Sequence, residues 1–96
     1  MADNTPDNPQ GRQTLIEYPC DFPIKAMGLR VEGFAQAVVE VVQRHAPDFD
    51  PGSVEMRPSA KGNYLAVTCT FRAVSQLQVD TVYRELTAHP MVKVVL

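Results

Sequence analysis

Residues 61–71 read KGNYLAVTCTF: a Lys-Gly pair at a bend, then a run that alternates strictly in polarity. Leu65, Val67, Cys69 and Phe71 form one strongly apolar set, while Tyr64, Ala66, Thr68 and Thr70 form the other. A period of two is the pattern of a strand with one buried face, and the parity decides which residues are buried. The apolar set is expected to face a core and the second set to look outward. Just upstream, Val54–Pro58 reads as a short strand. Ser59–Asn63 reads as the turn between the two, because Gly62 and Asn63 both tolerate a positive φ.

Working outward from this hairpin, FPIKAMGLR (22–30) is a further half-buried strand, in which Ile24 and Ala26 alternate with Lys25 and Met27. Gly28 and Gly33 are expected to loosen the chain around Leu29, Arg30, Val31 and Glu32. A helix is predicted over 33–46 from the spacing of Phe34, Val38, Val41, Val42 and His45, with Pro47 as its stop. PDFDPG (47–52) is dense in turn formers. Downstream, Ser75 stands three residues before Gln78, so the two are expected to cap each other's backbone donors at the start of a second helix. Val79, Val82, Tyr83 and Leu86 give that helix its apolar face, His89-Pro90 ends it, and MVKVVL (91–96) is a final strand.

The order strand, helix, strand, strand, helix, strand fits an α+β ferredoxin-like split βαβ plan. Right-handed crossovers place both helices on one face of a four-stranded antiparallel sheet, in the spatial order fourth, first, third, second. Lys25, Met27, Tyr64, Ala66, Thr68, Thr70, Met91, Lys93 and Val95 are then expected on the open face. That mixed surface is less polar than a fully solvated one, which suggests partial covering by another chain; the alternative is that the long Lys stems cover it and the protein stays monomeric.

Ninety-six residues, 45% hydrophobic and 21% charged, make one globular domain with room for a single core. We place it over 14–96, preceded by a mobile tail over 1–13, MADNTPDNPQGRQ, which has almost nothing apolar to bury. The tail has no secretory-signal pattern, and no apolar run approaches the length of a membrane span. The net charge of −2, with no basic cluster, argues against a dedicated nucleic-acid or membrane binder. Cys20 and Cys69 lie far apart without metal-ligand spacing, so they read as two reduced thiols in a cytoplasmic protein.

The string K-G-N-Y-L also invites comparison with the RNA-recognition motif, which stacks bases on aromatic residues at its third and fifth positions. Those positions here are Asn63 and Leu65, and Leu65 has inward parity. Tyr64 is the single ring able to stack on the open face, so the likeness is superficial. The hairpin residues Ser59, Lys61, Gly62, Asn63 and Tyr64 remain a candidate anion or partner contact, through Lys61, the Ser59 hydroxyl and backbone donors around Gly62.

No catalytic constellation emerges. His45 and His89 sit at helix ends and read as packed or capping residues. Two histidines without spaced acidic partners give no support for a metal or other cofactor. Glu40 is expected to pair with Arg44 and Asp80 with Arg84 along their own helices. No nucleophile elbow, P-loop or dinucleotide fingerprint occurs, and the expectation is a protein that is not an enzyme.

The runs FPIKAMG (22–28), VVEVVQRHAPDF (38–49) and KGNY (61–64) closely resemble the YbeD (UPF0250-type) family of small uncharacterised bacterial proteins, over residues 15–96. Members look like the ACT regulatory domain, a βαββαβ module that binds small effectors, often amino acids, and pairs its sheets between subunits. The resemblance implies an ACT-like fold, a homodimer as one mode of assembly, and a link to lipoate attachment through neighbouring genes. It also implies an effector site at Leu29, Arg30 and Gly33, where Arg30 would pair with a carboxylate near a helix start. The family hairpin reads Pro-Ser-Ser-Lys-Gly-Asn-Tyr, and Ala60 stands here in place of the second Ser. Three functions follow as expectations: a non-enzymatic regulatory or protein-interaction module, a sensor of an amino-acid-like effector, and a single-stranded RNA binder working through Tyr64 and Lys25.

Overall fold

The computed structural model describes residues 16–96. The tail read over 1–13, and the first two residues of the domain read over 14–96, lie outside the described residues. The elements are β1 (Cys20–Leu29), α1 (Phe34–His45), a 3-10 turn at Pro51–Ser53, β2 (Glu55–Pro58), β3 (Tyr64–Ala73), α2 (Gln76–Ala88) and β4 (Val94–Val95). They build one antiparallel sheet in the order β2-β3-β1-β4, the spatial order expected of the ferredoxin-like plan.

The alternation in β1 and β3 has a physical consequence on both sides of the sheet. Ile24, Ala26, Val67, Cys69, Phe71 and Ala73 are buried under the helices. Phe34, Val38, Val41 and Val42 bury one stripe of α1, and Val79, Val82 and Leu86 one stripe of α2. Among the described residues no polar or charged residue is fully buried. Burial raises the Cys69 thiol to about 11, so it is a packing group and a poor nucleophile.

Two glycines do different work from the loosening expected of both. Gly28 is buried, and a Cβ on it would sit 2.3 Å from the Met91 carbonyl oxygen and 2.6 Å from the Phe34 ring. It is the point where β1 passes beneath α1 and the approach to β4. Gly33 takes a left-handed φ of 89° as the N-cap of α1, with open space where a Cβ would be.

At α2 the Ser75 hydroxyl oxygen accepts from the Gln78 N–H at 3.1 Å, as capping requires. The Gln78 side chain reaches one residue further back than expected: its oxygen accepts from the Val74 N–H at 2.6 Å. Its amide nitrogen donates to the His45 carbonyl at 2.8 Å, which ties the start of α2 to the end of α1.

The last strand departs from expectation in its parity. Val95 pairs with Ala26 and Val94 with Met27, and opposed residues share a face. Val95 is therefore buried and Val94 exposed, so Val94 and Leu96, rather than Val95, belong with the open face. Met91 packs against the core cluster instead of projecting outward. The ladder extends beyond the two formal strand residues, because the Lys25 and Leu96 N–H groups donate to each other's carbonyls at 3.1 and 2.8 Å. The Tyr83 hydroxyl donates to the Val95 carbonyl at 3.0 Å and holds the strand from the helix side.

Candidate functional site

The structure brings together two regions read separately in the sequence. Leu29 lies opposite Tyr64 at the end of the β1–β3 ladder, and the Arg30 N–H donates to the Asn63 carbonyl at 2.9 Å. The Arg30 guanidinium lies 3.3 Å from where a Cβ on Gly62 would stand. Leu29 and Arg30 thus join the hairpin, whereas Gly33 serves the start of α1.

Within the hairpin much of the hydrogen-bonding capacity goes into the turn. The Ser59 N–H donates to the Tyr64 carbonyl at 2.9 Å, and the Ser59 hydroxyl accepts from the Tyr64 N–H at 3.1 Å. Gly62, at φ 76°, donates its N–H to the Ser59 carbonyl at 2.9 Å. That donor, expected to face an anion, is satisfied internally. Lys61 and Tyr64 are exposed.

Beside the hairpin, the open sheet face holds two adjoining recesses, of about 500 and 330 Å³, which share Lys25, Arg57 and Ala66. Glu55 and Thr68 line the larger. Met27, Ser59, Tyr64 and Leu96 line the smaller. Arg57 and Leu96 were not singled out in the sequence as site residues. The signal for Arg57 was its parity in the short β2 strand: it pairs with Ala66, which already carried outward parity. Leu96 was hidden by the misread parity of β4.

The electrostatics of the two sides differ. On the helix side Arg44 and His45 of α1 converge on Glu85 of α2, at 2.6 and 2.8 Å. Arg44 therefore pairs across helices and not with Glu40, which accepts from Gln36; likewise Asp80 accepts from Gln76 and not from Arg84. The His45 bond, with Arg44 beside it, holds the Glu85 carboxyl below its ordinary range. His89 accepts the Met91 N–H on Nδ1 at 3.1 Å and shapes the turn into β4. On the open face, Arg72 pairs with Asp21 at 3.4 Å. Among the described residues no carboxylate lies within 4.0 Å of Lys25, Arg30, Arg57 or Lys61. Nor do the described residues gather three metal-ligating side chains, and no described helix is long and apolar enough to cross a membrane.

Comparison with known proteins agrees with this architecture. Residues 13–96 match the sequence profile of a family described as a protein of unknown function, DUF493. A UPF0250 protein of Ralstonia nicotianae is 56% identical over 95 residues, covering 99% of this chain and 97% of its own. UPF0250 proteins of Leptothrix cholodnii and Bordetella pertussis are each 58% identical over 84 residues, 88% of this chain and 92% of theirs. The solution structure of protein HP0495 from H. pylori is similar with a TM-score of 0.69 at 12% identity, covering 84% of this chain and 85% of that one. At that identity the likeness concerns the fold alone.

Proposed function

The chain belongs to the DUF493 family of UPF0250 proteins, and we propose that it is a non-enzymatic regulatory module that works by presenting its open sheet face to a partner chain. The observation that carries this reading is the face itself. Opposite the helices, Met27, Tyr64, Val94 and Leu96 form an incompletely polar surface beside Lys25 and Arg57, with both edge strands short. Such a mixture favours association over solvation. The partner is a second copy of the chain or another protein.

The test separates the two faces. Ala66→Arg places a long charge in the middle of the open face, and Leu77→Arg does so at an exposed site on α2. Light scattering after gel filtration reports self-association, and affinity capture reports other partners. Loss of either complex with Ala66→Arg, and its retention with Leu77→Arg, supports the reading. Equal behaviour of the two variants contradicts it.

A second reading, effector sensing, is favoured by the placement of the Arg30 guanidinium against the hairpin with no acid in range among the described residues. A thermal-shift screen against amino acids, lipoate and octanoate tests it, and carries the lipoate link implied by the YbeD resemblance. A concentration-dependent rise in Tm that Arg30→Ala removes supports the sensor. Single-stranded RNA binding has the least support, because Tyr64 alone offers a ring and Leu65 turns inward.

A further inference from the structure

We propose that the smaller recess on the open sheet face is a binding site for a small organic anion: a carboxylate or phosphate head carried on a flat, apolar body. This goes beyond partner docking and does not depend on it.

The recess follows from the strand register. Met27 of β1, Ala66 of β3 and Arg57 of β2 form one row across the sheet. The methyl group of Ala66 is the smallest side chain of the three and leaves a hollow between its neighbours. Lys25 closes one side from the next row and Tyr64 the other, giving a volume of about 330 Å³. Pockets for small ligands start at about 300 Å³.

The lining sets the chemistry. Two cations, Lys25 and Arg57, reach the hollow from different strands. Among the described residues no carboxylate side chain lines it, and Glu55 lines only the adjoining recess. Lys25 and Arg57, with no carboxylate within 4.0 Å of either among the described residues, face one hollow and attract an anion. A guanidinium fork suits a planar carboxylate or a phosphate. Met27, Ala66, Leu96 and the half-exposed Tyr64 ring supply an apolar floor and wall. An inorganic ion would leave that floor wet, and a neutral hydrocarbon would leave the cations without a partner. A molecule carrying both parts satisfies both.

Amide NMR titration of the full chain at constant ionic strength tests the site. Benzoate and phenyl phosphate are the probes. Acetate and inorganic phosphate supply the head alone, and benzyl alcohol the body alone. We expect saturable shifts centred on Lys25, Arg57, Tyr64 and Ala66, with the better probe binding at least about tenfold more tightly than either part. The preferred probe identifies the head. Arg57→Ala and Lys25→Ala should each weaken binding roughly tenfold or more, as loss of a charge-assisted bond does. Arg72→Ala, on the same face but paired with Asp21, should leave it unchanged. Absence of saturable shifts overturns the site, as does binding no tighter than that of the separate parts or binding indifferent to Arg57→Ala. Tighter, steeply salt-dependent binding of an oligothymidylate overturns it in favour of a nucleic-acid surface. A null titration leaves the partner reading standing, because that reading rests on the Ala66→Arg and Leu77→Arg pair.

Discussion

On one side of the sheet Val67, Cys69 and Phe71 are sealed beneath two helices, while on the other Ala66, Thr68 and Thr70 of the same strand meet solvent. The chemistry follows the same division. At the helix-side rim Glu85 lies between Arg44 and His45. On the open side Lys25 and Arg57 face one hollow without an acid in range among the described residues. Stability therefore resides mainly on the covered face. Substitutions on the open face should cost the fold less than those beneath the helices.

The contrast is broken most severely at Phe34, the ring that fills the space between α1 and β1. Phe34→Ala should cost about 3–5 kcal/mol in urea unfolding, and a loss below 1 kcal/mol would show that the core is not organised around it. Gly28→Ala comes next. The added methyl meets a backbone carbonyl at 2.3 Å, so a loss of about 1–3 kcal/mol is expected from thermal unfolding, and none if the Met91 segment yields easily.

The rim pair gives a smaller, pH-dependent effect. The folded Glu85 carboxyl titrates below its ordinary value of about 4.5, so its contribution is present above that pH and is lost as pH falls through the folded value. Both partners are partly exposed and screened, which limits the contribution to about 0.2–1 kcal/mol. The Glu85→Gln difference should be visible at pH 7 and shrink toward pH 3; a difference constant with pH would assign it to packing instead. Smallest of all, Tyr64→Ala on the open face should shift stability by about 0.5 kcal/mol or less. A larger loss would mean that the open face carries structural weight.

Particular residues show where the sequence was legible. The strands around Ile24 and Val67, the α1 stripe at Phe34, Val38, Val41 and Val42, and the Ser75 cap all stand where local spacing put them. Their signals lie within a few residues and repeat with the period of the element. The misreadings concern partners chosen across the fold. Arg44 had a local acid four residues away in Glu40, yet it pairs with Glu85, 41 residues distant, because the helices pack side by side. Val95 shares the parity of the polar Lys93 and so looked outward, and only pairing with Ala26 decided its face.

The candidate site divides in the same way. Tyr64, Lys25 and Lys61 were legible because parity and turn chemistry are local. Arg57 and Leu96 enter through the β2–β3 and β1–β4 registers, and the β1–β3 register carries Arg30 to the hairpin. Periodicity, caps and turn residues are short-range properties of the chain, and they were enough to establish the elements and their order. Which charges are neutralised, and which two face the same hollow, depends on contacts between residues tens of positions apart, and those exist only once the sheet has closed its register.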